Sequence, residues 1–304
     1  MRTMVLITSD GHPQRPMQRH AAAVRALLLC LGVALLSACS STTFVYNRLD
    51  FLLPWYLERY VDLESDQSQR LDARLEPLLA WHRRDELPRY IELIVQVEAT
   101  LDEPLSRERV AGLADDFEEA WYRLRDRGLE ELLLMGASLS DRQIEEFLAK
   151  LQKKQEKYQR KYLDRDDVTY ADDAFDNLRE TLEDYLGRLD RAQRDRLLVA
   201  AGTLQRSDRL WLSERAAGIA MLTGELRREP GWQGRIRDAL GGWEQQLDAG
   251  TVAIYEHNSM RVQEAIAEVV NTRSDRQNQR LRRRLAELRE DLLQLSTARD
   301  SAGS

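Results

Sequence analysis

Residues 139–158 read Leu-Ser-Asp-Arg-Gln-Ile-Glu-Glu-Phe-Leu-Ala-Lys-Leu-Gln-Lys-Lys-Gln-Glu-Lys-Tyr, and this stretch decides the fold class. Ser140 followed three positions on by Gln143 is a capping box, and Leu139 with Ile144 forms a hydrophobic staple, so a helix starts here. Ile144, Phe147, Leu148, Leu151 and Tyr158 then recur at helical spacing and supply one apolar face. The same grammar extends in both directions. Ser106 heads a face of Val110, Leu113, Phe117, Trp121 and Leu124, and Asp190 with Gln193 heads one of Leu197, Ala201 and Leu204.

Other segments fit the same reading. Leu71, Leu75, Leu78 and Leu79 share a face on a helix that Pro77 is expected to kink. Pro88 suits the first turn of the next helix, with Ile91, Ile94, Val95 and Leu101 on its face. Phe175, Leu178, Leu182, Tyr185 and Leu189 mark another, and two more are expected over about 207–228 and 231–248. Val252, Tyr255, Val262, Ile266 and Val269 precede a seam of Leu281, Leu285, Leu288, Leu292 and Leu295, free to pack internally or to zip to a second copy. No segment alternates with period two between turn residues. The expected fold is all-α, about ten helices in an antiparallel bundle or irregular array, with no sheet. The helix starts at Leu105, Leu139 and Leu189 look alike, but their spacing is irregular, so shared capping chemistry is the simpler reading.

The 304 residues carry 45 basic and 52 acidic side chains, a net charge of −7. That balance speaks against nucleic-acid binding, which requires a basic footprint. Cys30 and Cys39 both lie near the start, so no disulfide framework is available to the body of the chain.

Residues Ala26–Leu36 are an unbroken apolar run, too short to span a bilayer, preceded by Arg15, Arg19 and Arg25. This is the pattern of a secretory signal, with Met17 the expected true start. The run ends in Leu36-Ser37-Ala38-Cys39, which resembles the lipobox of bacterial lipoproteins. The resemblance implies cleavage after residue 38 and acylation of Cys39. Ser40 in second position implies, by the same likeness, sorting to the outer membrane, with the body on its periplasmic face. Several acyl chains hold a protein to lipid almost irreversibly, because each buried methylene adds about 0.8 kcal/mol. The tether, 39–43, adds four residues after the cysteine and reaches about 14 Å, which keeps the body against the headgroups. Phe44, Tyr46, Phe51 and Trp55 follow at once and are candidates for contact with the membrane interface, although aromatic residues at helical spacing more often belong to a core.

All five lysines, Lys150, Lys153, Lys154, Lys157 and Lys161, fall on one helical arc. Like charges three and four apart oppose the helix by a few tenths of a kcal/mol each. The face is either a solvated surface or an anion-binding one for phosphate-bearing lipid, peptidoglycan carboxylates or an acidic partner. The stretch 164–173 is the least helical and the expected hinge between an N-terminal half, 44–163, and a C-terminal half, 174–296, of one continuous domain, with a frayed tail over 297–304.

Chemistry-bearing patterns are sparse. Beyond the leader only His82 and His257 remain, with no ligand spacing around them, and no phosphate-cradling loop is present, so neither metal nor cofactor is expected. Gly241-Gly242 reads as a helix break or a close contact. Glu64-Ser65 resembles the Glu-Ser pair of soluble lytic transglycosylases, where a carboxylic acid protonates a glycosidic oxygen, but that family's Gly-Leu-Met-Gln element is missing here. His82-Arg83-Arg84-Asp85-Glu86 is either a polar recognition knot or, more simply, a cationic helix end followed by an acidic helix start.

With Tyr-Asn-Arg-Leu-Asp at 46–50, Trp-His-Arg-Arg at 81–84 and Glu-Leu-Pro-Arg-Tyr at 86–90, the chain resembles an uncharacterised family of Gram-negative lipoproteins, from Cys39 to about residue 225. The likeness implies location and a helical fold and transfers no catalytic residue. The expected role is a non-enzymatic envelope module with a protein or peptidoglycan partner. The alternatives are a peptidoglycan-cleaving enzyme and a carrier for lipid or membrane-protein clients.

Overall fold

The structure is a computed structural model that describes residues 41–297. The leader, the Leu36-Ser37-Ala38 box, Cys39, Ser40 and the tail beyond Thr297 lie outside the described residues. Twelve α-helices occur among the described residues and no strand. They are α1 (Ser41–Tyr46), α2 (Leu49–Glu58), α3 (Ser65–Trp81), α4 (Leu87–Thr100), α5 (Arg107–Ser138), α6 (Asp141–Tyr162), α7 (Asp167–Leu186), α8 (Arg191–Thr203), α9 (Asp208–Glu225), α10 (Trp232–Gly241), α11 (Ala249–Asn271) and α12 (Asp275–Thr297). A 3₁₀ turn, Glu244–Gln246, follows the break at Gly241-Gly242.

The main core gathers the buried faces of α4, α7, α8, α11 and α12 with the first turn of α5. The leucine seam of α12 is spent internally: Leu281, Leu285, Leu288, Leu292 and Leu295 are all buried in this core. α12 packs along α4 and touches α1, so the two ends of the described chain lie together. Two smaller cores flank it. Leu71 and Leu75 of α3 close on Met135 of α5 with Leu53 and Leu57 of α2 beside them. Leu133 of α5 meets Trp232 and Ile236 of α10.

α5 links all three. Its 32 residues span about 48 Å, and no single face stays inward over that length. Val110, Leu113 and Ala114 are buried near its start and Leu133 and Met135 near its end, whereas Trp121, expected on the inner face, is exposed.

Four buried glutamines order the helix starts. Gln67, Gln143, Gln193 and Gln277 each stand at the third position of a helix and accept from the backbone N–H of Glu64, Ser140, Asp190 or Ser274 through Oε1. They then pair by amide exchange, Gln67 with Gln143 (3.1 and 2.7 Å) and Gln193 with Gln277 (3.2 and 2.9 Å). Each pair ties two distant helix starts together through groups that burial would otherwise penalise. The similarity between the Leu139 and Leu189 starts therefore carries tertiary as well as capping information.

The stretch 164–173 is not the irregular hinge expected. Asp167 already begins α7, and Asp166 caps it by accepting from the Thr169 N–H at 2.8 Å. Arg165 is buried between Asp208 (2.5 Å) and Asp173 (2.7 Å), which clasps the α6–α7 joint to α9. The acidic residues that look irregular in sequence are helix-start residues favoured by the dipole.

Candidate functional site

The site runs from α1 and α2 through the 59–64 loop onto α6, with α1 seated on the junction of α3 and α4. That junction is the local surprise. α3 does not end at the His82-Arg83-Arg84 cluster. Residues His82–Glu86 form a π-helical turn in which the Leu87 N–H reaches back to the His82 carbonyl, and α4 continues directly. Pro88 supplies the reason: it lacks an N–H and its ring crowds the carbonyl four residues before it, and a widened turn relieves both. The extra residue turns Glu86 inward. Its carboxylate is fully buried and accepts from Arg123 Nε on both oxygens (3.1 Å each), with Arg89 at 3.1 Å on the other side. The reading of this segment as a cationic helix end followed by an acidic helix start was wrong: the helix continues through it, and one π turn moves every following side chain to a new angle.

His82 faces the opposite way, toward α1. The Tyr46 hydroxyl and His82 Nδ1 share a hydrogen bond at 2.7 Å, and Tyr90 stands edge-on to the imidazole at 5.5 Å. Burial holds His82 down at about 4, and burial pushes Tyr46 up to about 12, so a neutral imidazole meets a protonated phenol. Arg83 stacks on the Tyr46 ring at 5.6 Å. Tyr46 is therefore a half-buried anchor packed on the main core, not a surface contact as its position in sequence suggested.

The other three aromatic candidates are outside. Phe44, Phe51 and Trp55 are 61%, 65% and 51% exposed, with Tyr56 exposed beside them. Arg48 lies over Phe44 at 5.1 Å, and Arg59 lies over Trp55 at 5.7 Å and Tyr56 at 5.9 Å. Leu53 and Leu57, on the opposite side of α2, pack on the α3–α5 core. The α1–α2 segment is thus apolar on both faces, one buried in the body and one turned outward.

The lysines divide. Lys150 approaches Asp62 at 3.7 Å, and Lys154 sits 4.0 Å above the Tyr60 ring and also contacts its hydroxyl. Tyr60 in turn meets Tyr56 hydroxyl to hydroxyl at 3.2 Å, so the aromatic surface runs into the cationic one. Lys153, Lys157 and Lys161 remain exposed, and burial against its neighbours lowers Lys161.

Glu64 stands exposed at the start of α3, its backbone N–H bound by Gln67, with no enclosing wall around it. Glu64 itself occupies the cap position, and Ser65 is the first helical residue. A groove of about 370 Å³ on α3 and α5 is lined by Arg70, Ala73, Arg74, Pro77 and Glu131, a charged rather than apolar set. Among the described residues no group of three or more His, Cys, Asp or Glu side chains is placed to hold a metal, and no helix is long and apolar enough to cross a membrane.

The molecule is thus an all-α helical array whose outer aromatic and cationic surface is braced by a π-turn knot. Over residues 59–249, well over half its length, the chain matches a family of unknown function, DUF6279, and it belongs to that family. The match includes the π-turn, the 59–64 loop and the lysine face. Neither a curated protein nor a solved structure matches the chain.

Proposed function

We propose that the protein is an envelope lipoprotein, acylated at Cys39 and held on the periplasmic face of the outer membrane, whose helical body is a non-enzymatic interaction module. The observation that carries this reading is the ordered sequence of basic leader, apolar run, Leu36-Ser37-Ala38-Cys39 and Ser40. The body begins at Ser41, two residues past that cysteine, so the acyl chains and α1 share one location. Lys153, Lys157 and Lys161 offer a partner an exposed cationic face. Mass spectrometry of native material tests the anchor: the expected result is an N-terminal Cys39 carrying acyl chains, and a bare thiol or a retained leader overturns the reading. Crosslinking in intact cells tests the module. It should recover an envelope protein or peptidoglycan, and substituting the three exposed lysines by glutamate should abolish that capture without loss of helix content.

The peptidoglycan-cleaving alternative gains nothing from the placement of Glu64, since a general acid needs a low-dielectric enclosure to hold its proton at neutral pH. Release of soluble muropeptides from sacculi, lost in Glu64→Gln, is the result that would restore it. The carrier alternative requires an apolar cavity, and the groove on α3 and α5 is charged.

A further inference from the structure

We infer that the outward face of α1–α2 is a second, non-covalent membrane contact, in which Phe44, Phe51, Trp55 and Tyr56 enter the headgroup region of an anionic bilayer while Arg48 and Arg59 pair with lipid phosphate.

The first support is a conflict in the segment itself. Ten consecutive residues, Leu49–Glu58, are nearly all apolar, yet only one side of the helix faces the body. Large aromatic side chains more than half exposed mark a surface that something covers. The second support is the identity of the exposed residues. Phe44, Arg48, Phe51, Trp55 and Arg59 follow one another at steps of four, three, four and four, one stripe along the segment. Aromatic rings interleaved with guanidinium groups suit the bilayer interface, where rings sit at headgroup level and long basic side chains reach phosphate. A protein partner could also cover an apolar face, but it gives no reason for arginines to be interleaved with the aromatic rings of the stripe. The third support is charge. Tyr60 joins the stripe to Lys154, so the cationic character continues onto α6 although the whole chain is acidic. An acidic protein approaches an anionic membrane productively only where such a patch exists. The fourth support is reach: α1 begins two residues after Cys39, and this part of the argument rests on the proposed acylation.

The same segment communicates with the interior. Tyr46 on its inner side is bound to His82 in the π turn, whose other side carries the buried Glu86–Arg123 pair.

The test uses the full chain purified from membranes and reconstituted in vesicles of phosphatidylcholine with phosphatidylglycerol, some of the lipid brominated in its acyl chains to quench nearby tryptophan. The Trp55 contribution is isolated by comparison with Trp55→Phe, which preserves an aromatic ring. The expected result is strong quenching that disappears in Trp55→Phe and is lost again when Arg48→Glu and Arg59→Glu are combined. Each basic side chain removed should weaken the contact about fivefold, and added salt should do the same. These positions are exposed, so helix content by circular dichroism should not change, which keeps a folding defect distinguishable. Trp55 left unquenched, whether accessible to an aqueous quencher or shielded by a second copy in crosslinking, overturns the inference. The acylation state of Cys39 is read by mass spectrometry on the same sample. An acylated chain with Trp55 unquenched removes this contact and leaves the anchor reading intact. An unacylated chain that still shows Arg-dependent quenching removes the anchor and leaves this contact.

Discussion

Glu86 and His82 sit four residues apart and face different worlds, one a buried ion pair and the other a neutral aromatic cluster. Substituting Glu86 by Gln leaves the Arg123 and Arg89 guanidinium groups without their counter-charge, and we expect a loss of about 3 kcal/mol in urea unfolding. His82 makes a pH prediction. Its folded pKa, about 4, lies below the ordinary value of 6.5, so the unfolded chain binds the extra proton first. Its contribution is therefore complete above about 6.5 and is lost as pH falls toward 4. That amounts to roughly 3 kcal/mol, and His82→Gln, which keeps a hydrogen-bonding group for Tyr46, should flatten this part of the pH profile of the unfolding midpoint. Neither role was visible in sequence. The segment 81–90 did carry the family likeness, and the structure shows that its His82 touches Tyr46 from the other quoted segment. What concealed Glu86 was the assumption of a constant turn, since one π-bulge resets the angular position of every later residue.

At the scale of elements, the capping glutamines are the clearest case of one residue serving two levels. Ser140 with Gln143 and Asp190 with Gln193 were readable as capping boxes, and the structure bears both out. The pairing of Gln143 with Gln67 and of Gln193 with Gln277 was not, because the partners are 76 and 84 residues apart. Gln143→Leu should cost about 1–3 kcal/mol, since it removes the buried exchange with Gln67 and the donor to the Asp62 carbonyl. The double variant with Gln67→Leu should cost less than the sum of the singles, a coupling that a double-mutant cycle in denaturant measures. Gly187 is the single sharp backbone requirement in this region. Its φ is +76° and the Arg280 side chain crowds the site a Cβ would take, so Gly187→Ala should destabilise the α7–α8 corner.

Across the whole molecule, α12 closes the main core against α4, an association between residues near 90 and residues near 290. Leu285→Ala should cost about 2–5 kcal/mol, as for any well-packed buried leucine. Leu288→Asp should prevent folding altogether. If α12 instead formed a seam between two copies, the same change would leave a folded monomer, and size-exclusion chromatography separates the two outcomes.

The helical class, most helix starts and the apolar faces follow from local periodicity and capping, which are properties of neighbours in the chain. The proposed location rests on a short linear signal and is equally local. Which glutamines pair, which way Glu86 points, that α12 folds inward, and that Tyr46 packs half-buried on the core while Phe44, Phe51 and Trp55 are bare were decided only in three dimensions. Helical spacing specifies that a face is apolar. Which surface covers that face depends on contacts between residues far apart in the chain, and nothing in the local pattern encodes them.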